Sequence, residues 1–162
     1  MKKFIALILL SPIVFAEENP MLSLDKFLEN LGAEGNTASM PDMLYVQYRC
    51  LAYYSNLLAI LKSDDSERVQ ESINELEKIQ RDLIDLGWVS WKLIDFDAGK
   101  ENPNYDDFLA NMEKSVMQMV RNYQIESNNS WNNTGSYFNE YLNNEGTICS
   151  EILNMLKKPN DN

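Results

Sequence analysis

Apolar residues return every three or four positions along almost the whole chain, and no segment alternates apolar with polar residues as a half-buried strand would. Helices are therefore the elements this sequence can build. Leu44, Leu51 and Leu58 recur at seven-residue spacing, with Tyr54 and Leu61 three positions beyond the last two and Met43, Cys50 and Leu57 in a parallel row. Pro41 and Asp42 mark its start, which predicts a first long helix over about 41–62. Its polar row, Asp42, Arg49, Asn56 and Ser63, implies a helix that is heavily but not wholly buried.

The acidic turn after Asp64 predicts a second long helix from about Ser66 to Asp97, with a seam of Val69, Ile73, Leu76, Ile79, Leu83, Leu86 and Leu93. Gly87 is its weak point and a place for a bend. Gly99 and Pro103 separate it from a third helix, about Pro103 to Ile125, whose seam carries Tyr105, Leu109, Met112, Val116, Met119, Val120 and Tyr123. An Asn/Ser-rich patch, Glu126 to Ser136, is expected to interrupt before a fourth helix, about Thr134 to Lys157, with Phe138, Leu142, Cys149, Ile152 and Leu156 inside and Gly146 as a possible break. A short helix over Leu22–Leu31 stops at Gly32, and GAEGNTAS follows as a flexible connector. The expected fold is all-α: an antiparallel up-down four-helix bundle over 41–158, with the lead-in helix and connector in 17–40.

Residues 1–16, MKKFIALILLSPIVFA, have two lysines, a brief apolar stretch and small residues at Val14 and Ala16, the pattern of a cleavable bacterial export signal cut after Ala16. The stretch is shorter than the about 20 residues a bilayer-spanning helix needs. The expected compartment is the periplasm or the medium, without membrane insertion once the signal is removed.

That compartment gives the two cysteines a meaning, because unpaired thiols are unusual in an oxidising space. A Cys50–Cys149 disulfide is the natural reading, against two buried thiols or a link between chains. In an up-down bundle the first and fourth helices are antiparallel. At ~1.5 Å per residue, Cys50 lies ~13 Å from the start of one and Cys149 ~12 Å from the end of the other, at a shared level.

The composition removes most chemistry. There is no histidine, which excludes His-ligated haem, the usual catalytic zinc sites and Ser-His or Cys-His dyads. Fourteen Lys and Arg against 25 Asp and Glu give a net charge of −11, which opposes nucleic acid. Asp95, Asp97 and Glu101, with Asp106 and Asp107 beyond, space oxygens closely enough to suggest Ca²⁺ but depart from the calcium-loop pattern at Gly99 and Asp106, so they read as a solvated loop and helix caps. Met112, Met117 and Met119 raise a thioether copper site but coincide with the apolar seam. No cofactor is expected. No Ser or Thr pairs with a base, and the acids Asp82 and Asp85 fall on the solvated face. The Asn128 and Asn132 acceptor patterns for N-glycosylation read as polar surface residues beside a bacterial signal.

Arg49, flanked by Tyr45 and Tyr53, is the cation most suited to hold an anionic ligand or a partner's carboxylate, although its row mates would make it an ordinary rim arginine. Trp88 and Trp91 could line a slot or pack into the core. The expected function is non-catalytic: an exported acidic helical protein that binds a macromolecular partner, in the manner of an inhibitor, immunity protein or adaptor. Its charge favours a protein of basic surface. In exported size, single cysteine pair and helical content the chain is similar in outline to periplasmic immunity or inhibitor proteins, without a motif that ties it to one family. The alternative is a small-ligand binder or enzyme with a pocket between helices near Arg49.

Overall fold

The computed structural model describes residues 21–33, 38–64 and 66–157; the export signal expected over residues 1–16 lies outside them. Among the described residues the chain is all-helical, without strands. Its elements are α1 (Leu24–Ala33), α2 (Met40–Lys62), a 3₁₀ turn (Glu67–Val69), α3 (Gln70–Asp97), α4 (Tyr105–Thr134) and α5 (Glu140–Lys157). No helix among the described residues is long and apolar enough to cross a membrane.

Helix α2 begins in a capping box. The Ser39 hydroxyl accepts from the Asp42 N–H, the Asp42 carboxylate accepts from the Ser39 N–H, and Pro41 occupies the first turn, where its missing donor costs nothing. From there α2 becomes the axis of the molecule. Val46 through Tyr54 are buried without interruption, so this helix is covered on all sides rather than on one stripe. Arg49 and Asn56, expected on a partly solvated row, are therefore inside, because α4 and α5 cover that face and supply polar partners, joined at Arg49 by the Leu22 carbonyl just ahead of α1.

Cross-links in order along the helices give their directions. Gln47 Nε2 donates to Ser90 Oγ at 3.0 Å, Gln80 Nε2 to Ser55 Oγ at 2.8 Å, and Lys62 Nζ meets Glu77 at 2.8 Å, so α3 runs antiparallel to α2. Arg49 reaches Tyr123 and Asn56 reaches Ser127, so α4 runs parallel to α2. The Cys50–Cys149 disulfide, with Cα atoms 5.3 Å apart, and the packing of Tyr53 under Gly146 set α5 antiparallel to α2. The two sulfur atoms do share a level, as the spacing predicts.

Three expectations change. The Asn/Ser patch does not interrupt: α4 continues through it to Thr134, because Ser127 and Ser130 turn inward. The stop is Gly135, left-handed at φ 74°, and α5 starts only at Glu140. Leu93 does not belong to the α3 seam. The inward face of the second half of α3 is Leu83, Gly87, Ser90 and Ile94, which leaves Leu93 44% exposed. Neither Gly87 nor Gly146 breaks its helix. Gly87 lets the Phe108 ring approach α3 closely, where an added Cβ would stand 3.3 Å from the ring. Gly146 makes room for the Tyr53 hydroxyl, which a Cβ would overlap.

Candidate functional site

The most concentrated chemistry lies where α1, α2, α4 and α5 meet. Arg49 and Glu145 are both 0% exposed and form an ion pair at 2.6 Å. The arginine has five N–H donors in a rigid fork, and each has an acceptor. Nε donates to the Tyr123 hydroxyl at 2.9 Å, Nη1 to the Leu22 carbonyl at 2.7 Å and the Tyr45 hydroxyl at 3.2 Å, and Nη2 to Glu145 and to the Tyr141 hydroxyl at 3.4 Å. The glutamate is equally engaged. Its Oε1 accepts from the Leu24 N–H at 2.6 Å, while Oε2 accepts from Arg49 and from the Tyr123 hydroxyl.

Two consequences follow. Leu24 N–H belongs to the first turn of α1, whose donors have no helical partner, so Glu145 caps that helix with a full negative charge at the positive end of its dipole. The network also shifts the ionisation of its members. Burial pushes Tyr123 and Tyr141 far above the ordinary phenol range, so both stay neutral. For Arg49 burial works against the charge, but Tyr123 and Glu145 outweigh it and hold the guanidinium protonated. With every donor taken from within the chain, this cluster ties four helices together and leaves no arm of Arg49 for a ligand.

Tyr45 joins the cluster through its hydroxyl and its ring 5.9 Å from the guanidinium. Tyr53 stands behind it, edge-on to Tyr123 at 5.8 Å, and has no hydrogen bond to Arg49. Trp88 and Trp91 are elsewhere, half-buried around Phe108 at the α3–α4 end, with Trp88 also edge-on to Tyr105. The acidic residues of that connection are not gathered. Asp95 is buried and paired with Lys100 at 2.8 Å, Asp97 and Glu101 are exposed, and Asp106 lies in the first turn of α4 beyond its cap Asn104. Among the described residues no three Asp, Glu or Cys side chains converge as metal ligands. Met112 and Met119 are core residues.

Glu145, Tyr123 and Tyr141 were not singled out from the sequence as site residues. The signal was present for Glu145, which sits between Leu142 and Cys149 in the buried row of its helix, where a carboxylate requires a partner.

A second feature is the outward face of α3. Val89, Leu93 and Phe96, at i, i+4 and i+7, are 47%, 44% and 75% exposed and share one side of the helix, turned away from the buried Leu83–Gly87–Ser90 face. Toward the N-terminus the same side carries the exposed residues Glu71, Glu75, Lys78 and Asp82. The solvent face thus turns from charged to apolar about halfway along one helix.

No protein-family model matches the sequence, and no curated protein or solved structure matches it.

Proposed function

We propose that the protein is an exported binding protein without catalytic activity of its own, built as an antiparallel up-down four-helix bundle with α1 as lead-in, and that it engages a macromolecular partner through the outward face of α3. The observation that carries this reading is the exposed triad Val89, Leu93 and Phe96. Apolar side chains at helical spacing on a solvent face gain nothing for the monomer and provide the anchor a partner can bury. The acidic continuation of that face, in a chain of net charge −11, selects a partner whose apolar anchor is flanked by basic residues. An amphipathic helix of a basic protein has that chemistry. The disulfide fits an oxidising compartment such as the periplasm or the medium.

The test is capture from native-cell extract with the purified protein and with a Leu93→Ser, Phe96→Ser double variant. Both positions are exposed, so the variant is expected to melt within about 1 °C to 3 °C of the parent. One or more basic proteins retained by the parent and lost by the variant is the expected result. Identical retention by the two would overturn the assignment of this face.

A further inference from the structure

A cavity of about 210 Å³ opens between the C-terminal half of α2, the second half of α4 and the α4–α5 connection. Asn56 and Ser63 line it from α2, Gln124, Ser127 and Asn128 from α4, and Tyr137 from the connection, with two aliphatic side chains of α2 between them. No charged side chain lines it, although Asp, Glu, Lys and Arg make up 24% of the chain. The polar floor is fixed, because Asn56 Nδ2 donates to Ser127 Oγ at 2.9 Å and both residues are buried. The rim is open to a ligand: among the described residues neither Gln124 nor Asn128 has a side-chain hydrogen-bond partner. Tyr137 forms one wall, stacked on the half-exposed Trp131 with ring centroids 4.6 Å apart and planes 18° apart.

We propose that this cavity binds a neutral saccharide ring. An ion would find no counter-charge there, and a purely apolar ligand would strip water from amides without replacing its hydrogen bonds. A sugar satisfies both requirements: its hydroxyls donate and accept, as do the Asn, Gln and Ser side chains, while its C–H face packs on an aromatic ring. The volume lies below the ~300 Å³ at which pockets for drug-sized ligands begin, so it suits one ring, with a longer glycan leaving along the exposed Trp131. The site lies on α2, α4 and the α4–α5 connection and does not include the outward face of α3.

The experiment is a two-dimensional NMR titration of the protein with glucose, galactose, mannose and N-acetylglucosamine, following the side-chain amide signals of Gln124, Asn128 and Asn56 and the Trp131 indole. Saturable shifts of these signals with at least one sugar are expected. Tyr137→Ala, which removes the stacking wall, should weaken that binding by about tenfold, and Gln124→Ala with Asn128→Ala should abolish it while the melting temperature stays unchanged. A response to N-acetylglucosamine alone would place an acetamido group against the amides; a response to the plain hexoses would place ring hydroxyls there. No saturable shift with any of the four sugars, or shifts that persist in the Gln124→Ala, Asn128→Ala variant, would overturn the proposal.

Discussion

Replacing Glu145 with glutamine should cost this protein a large part of its stability. The change preserves side-chain shape but removes the charge that accompanies a fully buried Arg49, which Tyr123 and Glu145 hold firmly protonated. Three donors, the Leu24 N–H, Arg49 Nη2 and the Tyr123 hydroxyl, converge on two carboxylate oxygens, whereas an amide offers one oxygen and turns its own N–H groups toward the rest. A buried donor left without an acceptor costs about 1–3 kcal/mol, and breaking a buried ion pair from one side costs about 3–5 kcal/mol in all. For a domain of this size, at ~2–4 °C per kcal/mol, the melting temperature should fall by roughly 6–20 °C. Thermal melts by circular dichroism and urea unfolding measure the loss, and amide exchange should show α1 losing protection first, because Glu145 caps it. Arg49→Met combined with Glu145→Leu should lose less than the two single changes added together, since the uncompensated charge is gone. A fall of under about 2 °C for Glu145→Gln, or strict additivity in the double variant, would refute the argument.

The disulfide, the α5 glycine and the buried tyrosines supply further tests. Cys50→Ser should leave one titratable thiol and lower stability by up to about 4.7 kcal/mol on the chain-entropy argument for a cross-link spanning 99 positions, read as the urea midpoint; an unchanged midpoint would show the link to be energetically idle. Gly146→Ala should destabilise by about 1–3 kcal/mol although alanine is the better helix former, because its Cβ would stand 2.8 Å from Tyr53 Cζ and overlap the hydroxyl; Tyr53→Phe should restore part of the loss in the melting curve. Burial raises Tyr48 and Tyr54 from 10.0 to about 12, so the folded state holds these protons more tightly than the unfolded chain. Their contribution is complete below pH 10 and is lost as pH rises toward 12, which should appear as a falling melting temperature across that window; a flat profile there would contradict their burial.

Heptad spacing was enough to read out α2, most of α3 and the level at which the cysteines meet, because each of those depends on a local repeat and on helix rise alone. The errors have a common physical origin. Asparagine and serine disfavour helix interiors in isolation, yet in α4 the serines at 127 and 130 face inward, one of them bonded to Asn56, and packing overrides propensity until Gly135 supplies a left-handed stop. Leu93 reads as a seam residue because it is apolar, but the drift of a 3.6-residue period carries it to the outside, and Gly87 and Ser90 face the core instead. Arg49 stands out in the sequence by its neighbours Tyr45 and Tyr53. Its partner lies 96 positions away, and the clues that α5 delivers a carboxylate to that level are the disulfide beside it and the place of Glu145 in the buried row of its helix. Nothing local distinguishes a binding arginine from one consumed by its own fold.

The outward face of α3 as the point of partner engagement is tested most directly by position-specific photo-crosslinking. A photoreactive phenylalanine analogue placed at position 96, and in parallel at the exposed Arg121 on α4, would be activated in cells that express the protein natively. A discrete adduct with a basic protein at position 96, absent at 121 and lost when Leu93 is also changed to Ser, is the expected result. No adduct at 96, or the same adduct at both positions, would contradict the account.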